Sequence, residues 1–168
     1  MKVKHILGVD PASVKIGLAI LQATPKVCVL STETIKLPTT IEHQLGRWSM
    51  ARQAILDFLK GTAVDTAVIE YPPFIMNHSV VTLIGLASYM AVAAEACYEY
   101  GIRDIILKDP KIVRKHLGLS SGLKKEDLLP VIQRWFPEIQ HLSLDKDNDQ
   151  IDAVGIAYSY ITEKRNKA

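Results

Sequence analysis

Ile6-Leu-Gly-Val-Asp10-Pro-Ala-Ser-Val-Lys-Ile-Gly17-Leu-Ala-Ile20 reads as an apolar strand that stops at a carboxylate, turns, and resumes as a second strand. Residues 6–9 have the unbroken apolar character of a strand buried on both faces, so an aspartate at its end is costly to desolvate unless a charge meets it. Pro11 fixes the exit. A residue before proline is pushed out of the helical region, so Asp10 stays extended and the Pro-Ala-Ser turn leads back through Gly17 as a hairpin. On this stretch alone the competing reading is an aspartate that only opens a turn, a common use of that residue.

Outward from this hairpin, residues 4–10, 16–22 and 26–36 read as three consecutive strands of an antiparallel meander, with turn signals at Asp10-Pro11 and Thr24-Pro25. Pro38-Thr-Thr introduces a helix whose apolar stripe is Ile41, Leu45, Trp48, Ile55 and Leu59, with Arg47, Arg52 and Asp57 more exposed and Gly61 as its end. Asp65-Thr-Ala-Val-Ile-Glu70 is again a short apolar strand ending in a carboxylate, and Tyr71-Pro-Pro-Phe74 takes the chain out of the sheet. A strand that follows a crossover helix lies parallel to the first, which brings Asp10 and Glu70 to the same sheet end. Two acids so placed repel unless a cation neutralises them.

A helix over about 78–100 is apolar around nearly its whole circumference, as expected of a helix buried on two sides. One side covers the sheet; the other meets either a second subunit or the chain's own C-terminal helices. Residues 102–107 supply a fifth strand, and Asp109-Pro110 starts a short helix ending near Gly118. Ser120-Ser-Gly-Leu-Lys-Lys is a loop that opens a helix from Lys125 to Phe136, stopped by Pro137. The last helix starts around Asp147-Asn148, and its Asp149 and Asp152 share one face with Ile156. Asp149 alone could answer the helix dipole, whereas Asp152 precedes the small apolar run Ala-Val-Gly-Ile-Ala and is drawn inward. The string Asp145-Lys-Asp147-Asn-Asp149 resembles the start of a calcium loop, but Gln150 and Ile156 stand where such a loop needs Gly and Glu.

With 168 residues and 48% hydrophobic content, the chain is expected to be one domain spanning residues 1–168. Cys28 and Cys97 lie far apart and outside metal-ligand spacing, as expected of reduced thiols in a cytosolic compartment. Met-Lys-Val-Lys-His passes straight into the first strand, which points away from a signal or transit peptide. Residues 75–94 carry no Asp, Glu, Lys or Arg, yet Asn77, His78, Ser79, Thr82, Gly85 and Ser88 lower their hydrophobicity, and a buried helix rather than a membrane span is expected. A formal charge of +2 excludes little. Its distribution says more, since Lys111, Arg114, Lys115, Lys124 and Lys125 occupy a segment without acids that could grip phosphates or merely form a solvated surface.

Asp10, Glu70, Asp149 and Asp152 form a carboxylate-only set, which favours hard ions, Mg²⁺ with Mn²⁺ able to substitute, over zinc. Two such ions about 4 Å apart can activate a water and stabilise the leaving oxygen of a phosphodiester. The element order resembles the ribonuclease H-like fold: α/β, a five-stranded mixed sheet of three antiparallel meander strands plus two parallel strands, flanked by helices. The motifs resemble those of RuvC-type Holliday junction resolvases, with Ile6-Leu-Gly-Val-Asp10-Pro-Ala-Ser similar to the first, Val68-Ile-Glu70 to the second and Asp149-Gln-Ile-Asp152-Ala to the last.

That resemblance implies a homodimer, formed through the helix around 78–100, that binds branched DNA at a four-way junction. It implies two symmetric nicks, with Mg²⁺ held by the four acids, in the cytoplasm of a bacterial cell or a phage-infected host. It further implies DNA contacts from basic residues before the last helix, for which Lys111, Arg114, Lys115, Lys124 and Lys125 are the candidates. Two departures mark a divergent, phage-type sequence. Ala12 stands where bacterial members usually have Gly, and Pro73 occupies the position of the junction-stacking aromatic, leaving Phe74 or Tyr71 to present a ring. Three other readings remain: a nuclease for flaps, other branched DNA or RNA; a non-catalytic nucleic-acid-binding module; and an ATPase using residues 10–17 as a phosphate hairpin, which would need a second such domain.

Overall fold

The computed structural model describes residues 4–40, 43–71, 79–119 and 125–167. Strands β1 (His5–Pro11), β2 (Lys15–Gln22), β3 (Cys28–Lys36), β4 (Thr66–Glu70) and β5 (Asp104–Lys108) form one sheet in the order β3-β2-β1-β4-β5. β1 pairs antiparallel with β2 and β2 with β3, while β4 lies parallel to β1 and to β5. This is the expected mixed sheet. Pro11 stays in the ladder opposite Ile16, so the hairpin turn lies one residue beyond Asp10-Pro11.

Alternation along the strands divides the core into two layers. Leu7, Val9, Leu18, Ile20 and Ile69 face α1 (Gln44–Leu59) and α2 (Val80–Tyr100), packing on Ala51, Ile55, Leu59, Tyr89, Ala93 and Cys97. Ile6, Ala19, Leu21 and Val68 face the other way, onto α3 (Pro110–His116), α4 (Lys125–Trp135) and α5 (Leu144–Asn166). Burial pushes the Cys97 thiol up to about 12, in keeping with an inert core residue.

Three helical expectations need correction. Leu45, placed on the buried stripe of α1, is 72% exposed in the first turn of the helix; Arg47 and Arg52 are half-buried, reaching the Ser13 carbonyl and Glu99. The expected Ile41 lies outside the described residues. α2 is not buried on two sides: Val80, Val81 and Ile84 are exposed, and the C-terminal helices cover the opposite face of the sheet. By length and composition α2 could cross a membrane, although its second half packs on the sheet through Tyr89, Ala93, Ala96 and Cys97. α5 begins at Leu144, earlier than expected, but Asp147 (φ −123°, ψ 16°) interrupts it. The Asp147 carboxylate accepts from the Ser143 amide at 3.0 Å, a return bond to the residue that caps the helix, and regular helix resumes at Asn148.

Candidate active site

β1 and β4 run side by side in register to Val9 and Ile69, so the next residue of each, Asp10 and Glu70, stands at the same sheet end, just past the last β1–β4 pair. Strand alternation turns both toward α5, because Ile6 and Val68, an even number of positions back, belong to the core layer on that side. Asp10 is paired with Gly17 of β2. There the helix arrives: a Cβ built on Gly17 would stand 1.9 Å from the carbonyl oxygen of Asp149, and one on Gly8 would stand 2.0 Å from that of Ala153. Both glycines therefore let helix backbone rest directly on strand backbone, four residues apart along α5. The seating brings Asp149 and Asp152 to the sheet end already occupied by Asp10 and Glu70. All four acids are half-buried.

The Asp149 side chain is only 14% exposed, lies 4.0 Å from Lys15 Nζ, and its Oδ2 is buried without a hydrogen-bond partner. An unsatisfied charged oxygen costs about 1–3 kcal/mol or more. Among the described residues no group of three or more His, Cys, Asp or Glu side chains is already drawn close enough to hold a metal ion. The donor chemistry fits a hard divalent ion all the same, since the groups are carboxylates and one carries a buried oxygen with no hydrogen bond, its ion-pair partner Lys15 standing off at 4.0 Å.

A second charged cluster borders this sheet end. β5 ends in Lys108, register partner of Glu70, and its buried Nζ lies 3.2 Å from Glu163 Oε2 on α5. Glu163 also meets Lys167 at 2.6 Å and His116 Nδ1 at 3.6 Å. Hydrogen bonding from Lys167, and then from Lys108, outweighs desolvation and holds the Glu163 carboxyl down at about 2. Burial lowers the affinity of Lys108 for its proton against the pull of Glu163. Burial, reinforced by Lys108, likewise lowers that of His116. The sequence does carry a signal for Lys108: Lys108-Asp-Pro110 repeats the pattern of an apolar strand, a charge and a proline already seen at Asp10-Pro11. It is missed when the strand is ended at Leu107.

The depressed Glu163 carboxyl stabilises the fold above its unfolded value near 4.5, and that contribution is lost as pH falls toward about 2. Glu163→Gln should cost about 3 kcal/mol at pH 7, because Lys108 stays buried without its counter-charge. The gap from wild type should shrink at pH 3, and equal urea midpoints at pH 7 would refute the assignment.

Of the proposed DNA contacts, Lys111, Arg114 and Lys115 are exposed on α3, which starts directly after β5 at the acid end of the sheet. The Asp109 side chain caps that helix, accepting from the Lys111 amide at 2.7 Å. Phe74, Lys124 and the side chain of Lys125 lie outside the described residues; Tyr71, at the end of β4, is 46% exposed.

No family model matches the chain, and no curated protein matches it at a significant level. The strand order and crossover make the fold ribonuclease H-like. Within that class its form is the one seen in Holliday junction resolvases. The structure of Thermus thermophilus RuvC in complex with Holliday junction substrate aligns with a TM-score of 0.77 at 18% identity, over 97% of this chain and 96% of that one. The yeast mitochondrial Holliday junction resolvase Ydc2 aligns at 0.67 and 11% identity, over 96% and 81%. The fowlpox virus Holliday junction resolvase aligns at 0.58 and 15%, over 95% and 99%.

Proposed function

We propose that the protein is a metal-dependent endonuclease that resolves four-way DNA junctions by paired symmetric nicks. What supports this is that Asp10 and Glu70 stand at the same end of neighbouring parallel strands and that the helix carrying Asp149 and Asp152 rests on the strands beside them, on a fold shared with three resolvases. These four residues would hold Mg²⁺, with Mn²⁺ able to replace it. When bound, such ions supply an activated water and charge stabilisation for the leaving oxygen. The chain's own part is positional. The two glycine contacts seat the helix that carries Asp149 and Asp152, and Lys111, Arg114 and Lys115 meet the phosphates of the arriving strand. Tyr71, exposed at the end of β4, presents a ring to an unstacked base; Phe74, Lys124 and Lys125 are proposed as further DNA contacts on the sequence alone.

Two cuts related by symmetry require two sites. The exposed face of α2, with Val80 at 71%, Val81 at 79% and Ile84 at 62%, is the surface on which a second copy would seat. Light scattering should return twice the 18.7 kDa of one chain, and a monomeric mass would remove the dimer from the proposal.

A labelled synthetic four-way junction should give two symmetric nicks with Mg²⁺ and none with EDTA. Flap and plain-duplex substrates in competition should be cut more slowly. Preferential flap cutting would narrow the function to a general branched-DNA nuclease, and binding without any product would leave a non-catalytic module.

A further inference from the structure

Three cations and an exposed indole that the acid site does not use meet at the opposite end of the sheet. β1 starts there, with His5 opposite Gln22, and reaches Asp10 only at its far end. The turn between β2 and β3 brings Lys26, the end of α4 brings Arg134 and Trp135, and α5 brings Tyr158 and Arg165, around a cleft of about 530 Å³. Trp135 is 38% exposed although its ring is backed by Tyr158 at 5.1 Å, which in turn meets the buried Phe136 edge-on at 5.0 Å. The aromatic ladder anchors the indole to the core and leaves part of its surface in solvent.

Lys26, Arg134 and Arg165 are all exposed, and no acidic side chain lines the cleft. Among the described residues none of the three pairs with a carboxylate. Like charges gathered around one ring repel, so the arrangement favours an anion. A ligand that answers both features carries phosphate for the cations and a flat ring for the indole, which is the chemistry of a nucleotide. The volume is in the range of clefts that accept a ligand of that size. Duplex DNA keeps its base faces inside the stack, so the match is to unpaired nucleotides.

We propose that this cleft binds a short unpaired stretch of a nucleic-acid strand. It stands apart from the nuclease reading, since it uses neither the four acids nor α3, and it holds whether or not the protein cuts junctions.

The test is fluorescence anisotropy with fluorescein-labelled ten-nucleotide oligo(dT) and oligo(U), in EDTA so that no cleavage intervenes. Trp135→Ala should weaken both about tenfold and Trp135→Phe should restore most of the loss, because stacking needs only a π face. Arg134→Gln with Arg165→Gln should weaken binding and flatten the slope of log affinity against log salt by about 1.4, two single-strand phosphate contacts. These two arginines are exposed, so the double variant keeps the test valid even if Trp135→Ala melts. Binding unchanged within twofold in the double variant and in Trp135→Ala would overturn the proposal. So would inorganic polyphosphate, which has no bases, binding as tightly as oligo(dT).

Discussion

Asp10→Asn should lower the rate of four-way junction cleavage about 10³-fold while leaving junction binding in EDTA within a factor of about two. The substitution keeps the shape of the side chain and removes its charge. Asp10 is the acid at which the two arrangements cross: it ends the strand parallel to the one that carries Glu70, and it is paired with Gly17, against which Asp149 rests. An ion held by this set loses the ligand common to both, and about 4 kcal/mol of transition-state stabilisation corresponds to about three powers of ten. On the proposed reading, binding rests on other groups, chiefly the cations of α3, and removing one negative charge from the DNA-facing end would not weaken it. Cleavage by the variant at more than a tenth of the wild-type rate in Mg²⁺ would remove Asp10 from the site.

Gly17→Ala should be the most damaging single-methyl change near the acids. Its Cβ would stand 1.9 Å from the carbonyl oxygen of Asp149, and since both atoms are fixed to backbone, no rotamer relieves the overlap. The helix must lift, carrying Asp149 away from Asp10. Overpacking of this kind costs about 3 kcal/mol, and the displaced carboxylate should take cleavage with it even where the variant folds. Gly85→Ala is the control. It adds a methyl in α2 with nothing within 4 Å and should stabilise by about 0.5–1 kcal/mol through helix propensity alone. Urea unfolding of both, with junction cleavage of the first, decides the matter; a Gly17→Ala protein of wild-type stability and activity would show that α5 is not seated there.

The strands and two of the acids were legible because the same local grammar writes them twice: an apolar run, a carboxylate, then proline within two residues. The parallel placement of Glu70 beside Asp10 follows from the helical crossover that precedes β4, which needs no knowledge of side chains. Features set by tertiary register were not legible. Lys108 is opposite Glu70 only once β4 and β5 are paired, and its partner Glu163 comes from the other end of the chain. In α2 an almost uniformly apolar sequence carries no phase, so nothing in it tells the face against Tyr89 from the face at Ile84. Leu45 fits the helical period but lies exposed in the first turn, where a sequence period cannot tell a helix end from its middle. The Arg134–Trp135 cleft depends on a strand turn more than a hundred residues away. Gly17 could be read as a turn glycine, yet its contact with Asp149 needs the helix in place.

The seating of α5 also determines how the site can adapt. Contacts at Gly17 and Gly8 are one helical turn apart and backbone to backbone, and the ion pair of Lys108 with Glu163 holds the same helix further along. Three anchors spread over four turns leave a rod no free translation and no free rotation. For the metal site proposed above, any difference in ionic radius, from Mg²⁺ to the larger Mn²⁺ or Ca²⁺, would then be absorbed by the side-chain torsions of Asp149 and Asp152 and not by travel of the helix. A lanthanide series soaked into the protein would read this directly, as carboxylate positions that shift with radius above a helix axis that stays put.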